Sequence, residues 1–107
     1  MIRGPGGVEL VDDALIDTGF SSSLTLPAAT ITALGLAPQS TGTAHLADSK
    51  AVMFDVYEAE VEWVGGWRTI LVWGIGSEVL LGMQLLADHQ LRIEARPGGA
   101  VEITALP

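Results

Sequence analysis

Alternation of apolar and polar residues with period two dominates the middle of the chain. After Tyr57, three glutamates at every second position are interleaved with apolar residues, in the order Glu58, Ala59, Glu60, Val61, Glu62, Trp63. Successive side chains of a β-strand point to opposite faces, so the pattern predicts a strand with one wet and one dry face. It forms the second arm, Ala51 to Trp63, of a long hairpin whose first arm is predicted over Thr43 to Leu46.

Shorter apolar segments separated by turn residues predict further strands. A two-glycine turn is predicted at Gly65-Gly66, and the apolar run after it predicts a strand covered on both faces. A short helix is predicted over Ala28 to Leu34, begun by Pro27 and ended by Gly35. The predicted short strands cover Ala14–Ile16, Ser23–Leu26, Trp67–Trp73, Leu91–Glu94 and Ala100–Ala105. About eight short strands with one or two short helices indicate an all-β, closed barrel-like fold.

Composition limits the organisation and the class of partner. The chain has 107 residues and is 49% hydrophobic, which fits a single domain, 1–107, with one core. A net charge of −8 argues against nucleic acid, which calls for a basic surface. The most apolar window, from Ile70 to Ala87, is interrupted by Gly74, Gly76 and Glu78, so no membrane span is expected. Because no leader pattern opens the chain, a cytoplasmic location is expected.

Metal and cofactor chemistry finds little support. The sequence contains no cysteine, so neither disulfides nor thiolate ligands are available. His45 and His89 stand alone, without the spacing of a zinc site. The segment Gly74-Ile75-Gly76-Ser77 lacks the third glycine and the lysine of a phosphate-binding loop, so it is interpreted as a turn. We expect neither metal nor cofactor.

The strongest chemical signal is Ala14-Leu15-Ile16-Asp17-Thr18-Gly19. An apolar strand ends there in a single carboxylate on a Thr-Gly turn. Asp and Gly are common in ordinary turns, so by itself the tripeptide is either a turn former or a placed catalytic group.

A second motif favours the catalytic interpretation. The run Glu78-Val79-Leu80-Leu81-Gly82-Met83-Gln84-Leu85-Leu86 is again apolar, ends in glycine and passes into a short helical segment. Between the two motifs lies the hairpin with a polar tip at Asp48-Ser49-Lys50. In this order the chain resembles the retropepsin-like aspartic proteases over roughly Ala14 to Ile93. The resemblance implies an acid-protease monomer that forms a two-fold homodimer.

The resemblance also assigns roles to particular residues. Asp17 would be catalytic, the hydroxyl of Thr18 would brace the paired turns, and Gly19 would allow close approach of the substrate backbone. The hairpin tip would be a flap that closes over the substrate. The flap residues would be Ala47, Asp48, Ser49, Lys50 and Ala51.

The chemistry requires two carboxylates that share one proton. No other aspartate of this chain has the apolar-strand-plus-glycine context of Asp17, so the second carboxylate must come from another copy. The sequence therefore predicts a homodimeric aspartic endopeptidase acting on a peptide or protein substrate. Two alternatives stay open: a catalytically silent dimerisation or peptide-binding module of the same fold, and an unrelated small β-barrel.

The chain departs from the retroviral pattern at several positions. Viral members carry an Arg–Asp pair where this chain has Met83 and Ser21, so both partners are replaced together and no unpaired charge is left. The flap tip lacks the usual glycines, and the strand before the first motif is short or missing. Phe20, directly after Gly19, either adds apolar surface beside the carboxylates or points into the core.

Overall fold

The computed structural model describes residues 1–45 and 48–107, and over these residues the chain is mostly β. They form the following strands and helices: β1 (Ile2–Arg3), β2 (Glu9–Leu10), β3 (Leu15–Ile16), β4 (Leu24–Thr25), α1 (Ala28–Leu34), β5 (Ser40–His45), β6 (Ala51–Trp63), β7 (Gly66–Gly74), β8 (Leu80–Leu81), α2 (Met83–Leu86), β9 (His89–Ile93) and β10 (Val101–Ala105). The expectation of a β protein with one or two short helices is confirmed at this level.

Eight of the strands form one sheet that curls into a half-barrel. The strand order is β2-β1-β6-β7-β4-β8-β3, and β5 pairs with the free side of the first part of β6. The β5–β6–β7 meander is antiparallel, whereas β3 lies parallel to β8 and β4 lies parallel to β7. Parallel neighbours need long crossover connections, and these bring the two motifs, far apart in sequence, side by side in the sheet.

The long strand β6 buries opposite faces in its two halves. Phe54 and Val56 are buried in the first half, and Ala59 and Val61 are buried in the second half. These pairs have opposite parity, so they face opposite sides of the sheet. The change of face agrees with the change of pattern at Tyr57 in the sequence. It gives the sheet two apolar surfaces, of which the second belongs to the main core.

The main core lies inside the curl, between the sheet and the two helices. Leu26, Leu34, Val72 and Leu85 are almost completely inaccessible to solvent. The helix α1 lies at its predicted bounds, and the left-handed conformation of Gly35 ends it while the amide of Gly35 bonds to the carbonyl of Thr32.

The N-terminal segment is more ordered than its composition suggests. It is rich in Gly and Pro over residues 4–7, yet β1 pairs with β6 through Ile2–Val61 and Arg3–Glu60. The ion pair is bidentate, because Arg3 donates from Nε and Nη2 to the two carboxylate oxygens of Glu60, at 3.2 and 3.0 Å. The guanidinium also lies 3.9 Å from the ring centroid of Trp67.

The C-terminal hairpin forms a separate two-stranded sheet. The predicted closing strands are present as β9 and β10, but they pair with each other and not with the half-barrel. Leu91 and Ile103 pack against the main core. The indole Nε1 of Trp63 donates to Nε2 of His89 at 3.2 Å, which ties the hairpin to the end of β6.

Two further expectations were wrong in detail. The middle of strand β7 is covered on one face only, since Ile70 and Val72 are buried while the side chain of Leu71 is 52% exposed. The turn before it consists of Val64 and Gly65, because Trp63 already pairs with Gly66. In the described residues no helix is long and apolar enough to span a membrane, and the cytoplasmic location stays a prediction.

Candidate functional site

The backbone of the second motif holds Asp17 at the end of β3. The amide of Leu15 donates to the carbonyl of Val79 at 2.8 Å, and the amide of Asp17 donates to the carbonyl of Leu81 at 2.9 Å. The parallel ladder thus continues one residue beyond β3. Asp17 therefore belongs to the sheet by its backbone and to the turn by its side chain.

The turn that follows is closed by Asp17 itself. The amide of Gly19 donates to Oδ1 of Asp17 at 2.9 Å, and the amide of Phe20 donates to the carbonyl oxygen of Asp17 at 3.1 Å. The Asp17 side chain is half-buried, whereas Thr18 and Gly19 are exposed. A carboxylate that accepts through Oδ1 has a fixed orientation, and its second oxygen is left for a proton or a water molecule.

The second-motif glycine permits the closest backbone approach at the site. A Cβ atom on Gly82 would lie 2.1 Å from the carbonyl oxygen of Ser22 and 2.6 Å from Cδ2 of Phe20. Three amides from the start of α2 donate into the loop after the turn: Gly82 to Ser23 at 2.9 Å, Met83 to Phe20 at 2.8 Å and Gln84 to Ser22 at 3.2 Å. The two motifs therefore form one rigid unit through main-chain hydrogen bonds.

The replaced ion-pair positions also belong to this unit. Met83 and Ser21 are both exposed, and the Met83 amide bonds to the residue directly before Ser21. Main-chain bonds hold this junction together, with an uncharged residue at each of the two positions.

Thr25 is a structural residue of the site that the sequence analysis did not identify. Its buried hydroxyl donates to the carbonyl oxygen of Glu78 at 3.0 Å and accepts from the amide of Leu80 at 2.9 Å. These two bonds hold the segment that leads into β8, and β8 in turn carries the Leu81 carbonyl that accepts from the Asp17 amide. The available signal was a hydroxyl placed between Leu24 and Leu26 in a buried strand, which needs a partner when it is desolvated.

The pleat of the sheet places Asp17 on the face opposite the main core. Leu15 is in register with Leu80, and Thr25 is in register with Trp73, so these four side chains share one face. Leu81 and Val72 face the core. Since Asp17 follows Leu15 by two residues in the continued ladder, it lies on the face of Leu80 and Trp73.

Three aromatic rings pack together on that face. Trp73 stacks on Phe54 at a centroid distance of 4.3 Å and meets the ring of Phe20 edge-on at 5.1 Å. The ring of Phe54 covers Gly42 of the neighbouring strand, where a Cβ atom would lie 2.6 Å from it. Phe20 therefore points neither into the main core nor into open solvent, and the half-buried ring links the Asp17 turn to the β5–β6 hairpin.

The predicted flap is the hairpin of β5 and β6. Its last pair joins His45 to Ala51, and beyond it Asp48, Ser49 and Lys50 are exposed. The amide of Lys50 donates to Oδ1 of Asp48 at 3.1 Å, and Ser49 has a positive φ of 66°. Ala47, also assigned to the flap, lies outside the described residues.

Two apolar cavities lie near the site, and Asp17 lines neither of them. The first, of about 290 Å³, is on the Asp17 face and is lined by Phe20, Thr25, Trp73, Leu80 and the segment 75–78. The second, of about 200 Å³, is on the core side and is bordered by Ile2, Trp63 and Leu85. Only the first adjoins the Asp17 turn, through Phe20, so it is the cavity relevant to the site.

In the described parts of the chain, no three His, Asp or Glu side chains come together as a metal-binding group. Comparison with known proteins found no matching family model, no matching curated protein and no matching solved structure. The site is thus defined by its own geometry: a single carboxylate on a Thr-Gly turn, fixed by a parallel strand pair, on one face of a curled β-sheet.

Proposed function

We propose that the protein is a homodimeric aspartic endopeptidase in which each chain contributes Asp17 to one shared site. The observation that carries the proposal is the fixation of the Asp17 turn by the second motif. Catalytic groups need to be held within a fraction of an ångström, and backbone hydrogen bonds from neighbouring strands provide such rigidity. An ordinary surface turn has no need of this support.

In the proposed mechanism the two Asp17 carboxylates hold one proton and one water molecule between them. The ionised carboxylate removes a proton from the water, and the water oxygen attacks the peptide carbonyl carbon. The protonated carboxyl donates its proton to the carbonyl oxygen. The tetrahedral intermediate then breaks its C–N bond. The carboxyl that took the water proton passes it to the leaving nitrogen, and one hydroxyl of the intermediate returns its proton to the other carboxylate. No metal and no cofactor take part. The Thr18 hydroxyls would brace the turns, and exposed Gly19 would face the substrate backbone.

The flap would close the site over an extended peptide. The tip residues Asp48, Ser49, Lys50 and Ala51, with Ala47 before them, would exclude water and offer backbone amides to the substrate. The inward side of this hairpin carries Phe54, which packs on Trp73 on the Asp17 face. This contact supports the assignment of the hairpin to the site.

The C-terminal hairpin is the surface we assign to the dimer contact. Ile93 and Val101 are paired neighbours that are 54% and 53% exposed, and Leu106 beyond them is 52% exposed. Adjacent apolar side chains on a small two-stranded sheet are typical of a surface that is covered by a partner. A second copy would cover it about a two-fold axis.

The catalytic assignment is tested with Asp17→Asn, and Asp13→Asn serves as a matched control because Asp13 is an exposed carboxylate just before the strand. The Asn side chain retains an oxygen that accepts from the Gly19 amide, so the melting temperature should stay close to that of the parent. Cleavage of a fluorogenic peptide library should fall at least about a thousandfold for Asp17→Asn only. A chelator should have no effect on the parent rate. Asp17→Asn retaining near-parental turnover would exclude the mechanism.

The shared site makes a further quantitative prediction for mixed dimers. When parent and Asp17→Asn chains are mixed in equal amounts and allowed to exchange, random pairing leaves about a quarter of the dimers with two aspartates. Activity should then fall to about a quarter of that of the same total amount of parent protein. A fall to one half would mean that each chain acts by itself.

The interface is tested by Val101→Glu. Removing the segment 101–107 altogether should also favour monomers, but it would take away Ile103, which packs against the core. The single charge on the exposed face should leave the fold intact and shift sedimentation at micromolar concentration from dimer towards monomer, with loss of activity. If Val101→Glu stays dimeric and fully active, the contact lies elsewhere.

A silent peptide-binding module of the same architecture is the second candidate. The cavity beside the Asp17 turn favours it, since a peptide side chain can be bound there without any turnover. Saturable peptide binding together with no cleavage by the parent protein would support this candidate over the endopeptidase.

A further inference from the structure

The cavity beside the Asp17 turn has mostly apolar walls. Phe20, Trp73, Ile75 and Leu80 supply aromatic and aliphatic surface. Its volume of about 290 Å³ lies at the lower end of the range for small-molecule sites, so it accommodates one long side chain and not a large ligand.

The buried hydroxyl that lines this cavity, that of Thr25, already makes two hydrogen bonds within the protein. The hydroxyl of Thr25 donates to the carbonyl of Glu78 and accepts from the amide of Leu80. A polar group at the bottom of the cavity would lose its water and meet only a hydroxyl that is already bonded twice, which is unfavourable. The inner part of the cavity therefore fits an aliphatic stem.

The lining also includes Glu78, which is exposed to solvent. The carboxylate has no ion-pair partner in the described residues. Four of the five basic side chains of the protein are paired with other acids, namely Arg3, Lys50, Arg92 and Arg96. The fifth, Arg68, is paired in register with Val61 near the opposite end of β7. A free carboxylate thus borders an apolar cavity on a chain of net charge −8.

We propose that this cavity binds a lysine or arginine side chain of the peptide substrate. The methylene stem lies against Phe20, Trp73 and Leu80, and the charged end reaches Glu78. Long basic side chains combine these two properties, since their stems cover apolar surface while the head stays solvated. The inference rests on the proposed function and adds a substrate class to it.

The position of the cavity places the bound residue close to the reacting bond. Phe20 belongs to the same turn as Asp17, and its amide bonds to the Asp17 carbonyl. Leu80 directly precedes Leu81, whose carbonyl oxygen accepts a hydrogen bond from the Asp17 amide. Phe20 and Glu78 are therefore specificity-determining residues in this proposal, the first for the stem and the second for the charge.

The test measures binding in the Asp17→Asn background, which stops cleavage and removes one of the carboxylates that would attract a cation. Fluorescein-labelled peptides of alanine and serine carry one lysine, norleucine or glutamate, moved through successive positions. Norleucine matches the lysine stem but has no charge. Fluorescence anisotropy at low salt should show lysine binding about two- to fivefold tighter than norleucine at one position, as for an exposed ion pair, with glutamate the weakest.

Two variants separate the contributions of stem and charge. Glu78→Gln should reduce the preference for lysine over norleucine to about one, whereas Glu62→Gln, an equal change of charge at the far end of β6, should leave it intact. Phe20→Ala should weaken lysine and norleucine peptides equally. Norleucine binding as tightly as lysine, or a lysine preference that survives Glu78→Gln, would overturn the proposal.

The outcomes distinguish this inference from the proposed function. If the lysine preference is present but the parent protein cleaves none of these peptides, the endopeptidase assignment fails and the binding site stands. If the parent cleaves peptides with no preference for a basic residue, the endopeptidase assignment stands and the proposal that the cavity binds a lysine or arginine side chain is wrong.

Discussion

Gly82→Ala tests whether the Asp17 turn depends on the second motif. Gly82 has φ −104° and ψ 178°, which any residue adopts, so the substitution causes no backbone strain. Its new methyl group would lie 2.1 Å from the carbonyl oxygen of Ser22. Because this neighbour is main chain, the loop after the turn and the start of α2 must move apart by more than an ångström.

The expected cost follows from the hydrogen bonds that cross this contact. Three amides, of Gly82, Met83 and Gln84, donate across it, and each such bond contributes about 1 kcal/mol. Alanine restricts the unfolded chain and returns roughly 0.4–1 kcal/mol. The free energy of unfolding should therefore fall by about 2 kcal/mol, and the melting temperature by roughly 8–16 °C for a domain of this size.

Gly6→Ala is the matched control, since no atom lies within 4 Å of a Cβ at that position. Urea denaturation followed by circular dichroism should show Gly6→Ala within about 0.5 kcal/mol of the parent. In the peptide-cleavage assay, Gly82→Ala should lower kcat by about tenfold or more under conditions where it is still folded, because the Asp17 turn is displaced. Equal stability and activity of the two variants would refute the coupling of the two motifs.

The remaining predictions concern the stability of the sheet. Leu26→Ala should lower the free energy of unfolding by about 3 kcal/mol, because Leu26 is 1% exposed, while Leu71→Ala at a 52% exposed position should cost less than about 1 kcal/mol; urea denaturation measures both. The pKa of Glu60 lies below its ordinary value, mainly because Arg3 donates hydrogen bonds to the carboxylate and, to a smaller extent, because Arg3 is positively charged. A carboxylate with a lowered folded-state pKa stabilises the folded protein at pH values above its unfolded-state pKa, and this contribution is lost as the pH falls through its folded-state pKa. Glu60→Gln lacks this carboxylate, so its melting temperature should fall less than that of the parent between about pH 6 and pH 3. Parallel curves for the two proteins would contradict this.

Local sequence determined the elements whose cause is local. Alternation over 51–63 predicted β6 at its observed bounds, and Pro27 and Gly35 predicted α1, because strand pleat and helix ends depend on neighbouring residues. The Asp-Thr-Gly turn was identified from the sequence, although the endopeptidase function it suggests stays a proposal.

Tertiary structure decided the features that depend on residues distant in sequence. Two-residue strands such as β1 and β3 have no periodicity of their own, and they exist because a long neighbour offers them hydrogen bonds. The same holds for the separation of the β9–β10 hairpin from the main sheet. It also holds at the site, where Trp73 and Glu78 have no distinguishing local pattern. They come to lie near the Asp17 turn only because β4 pairs in parallel with β7, and β3 with β8. These pairings bring residues 48 and 65 positions apart in sequence to the spacing of adjacent strands.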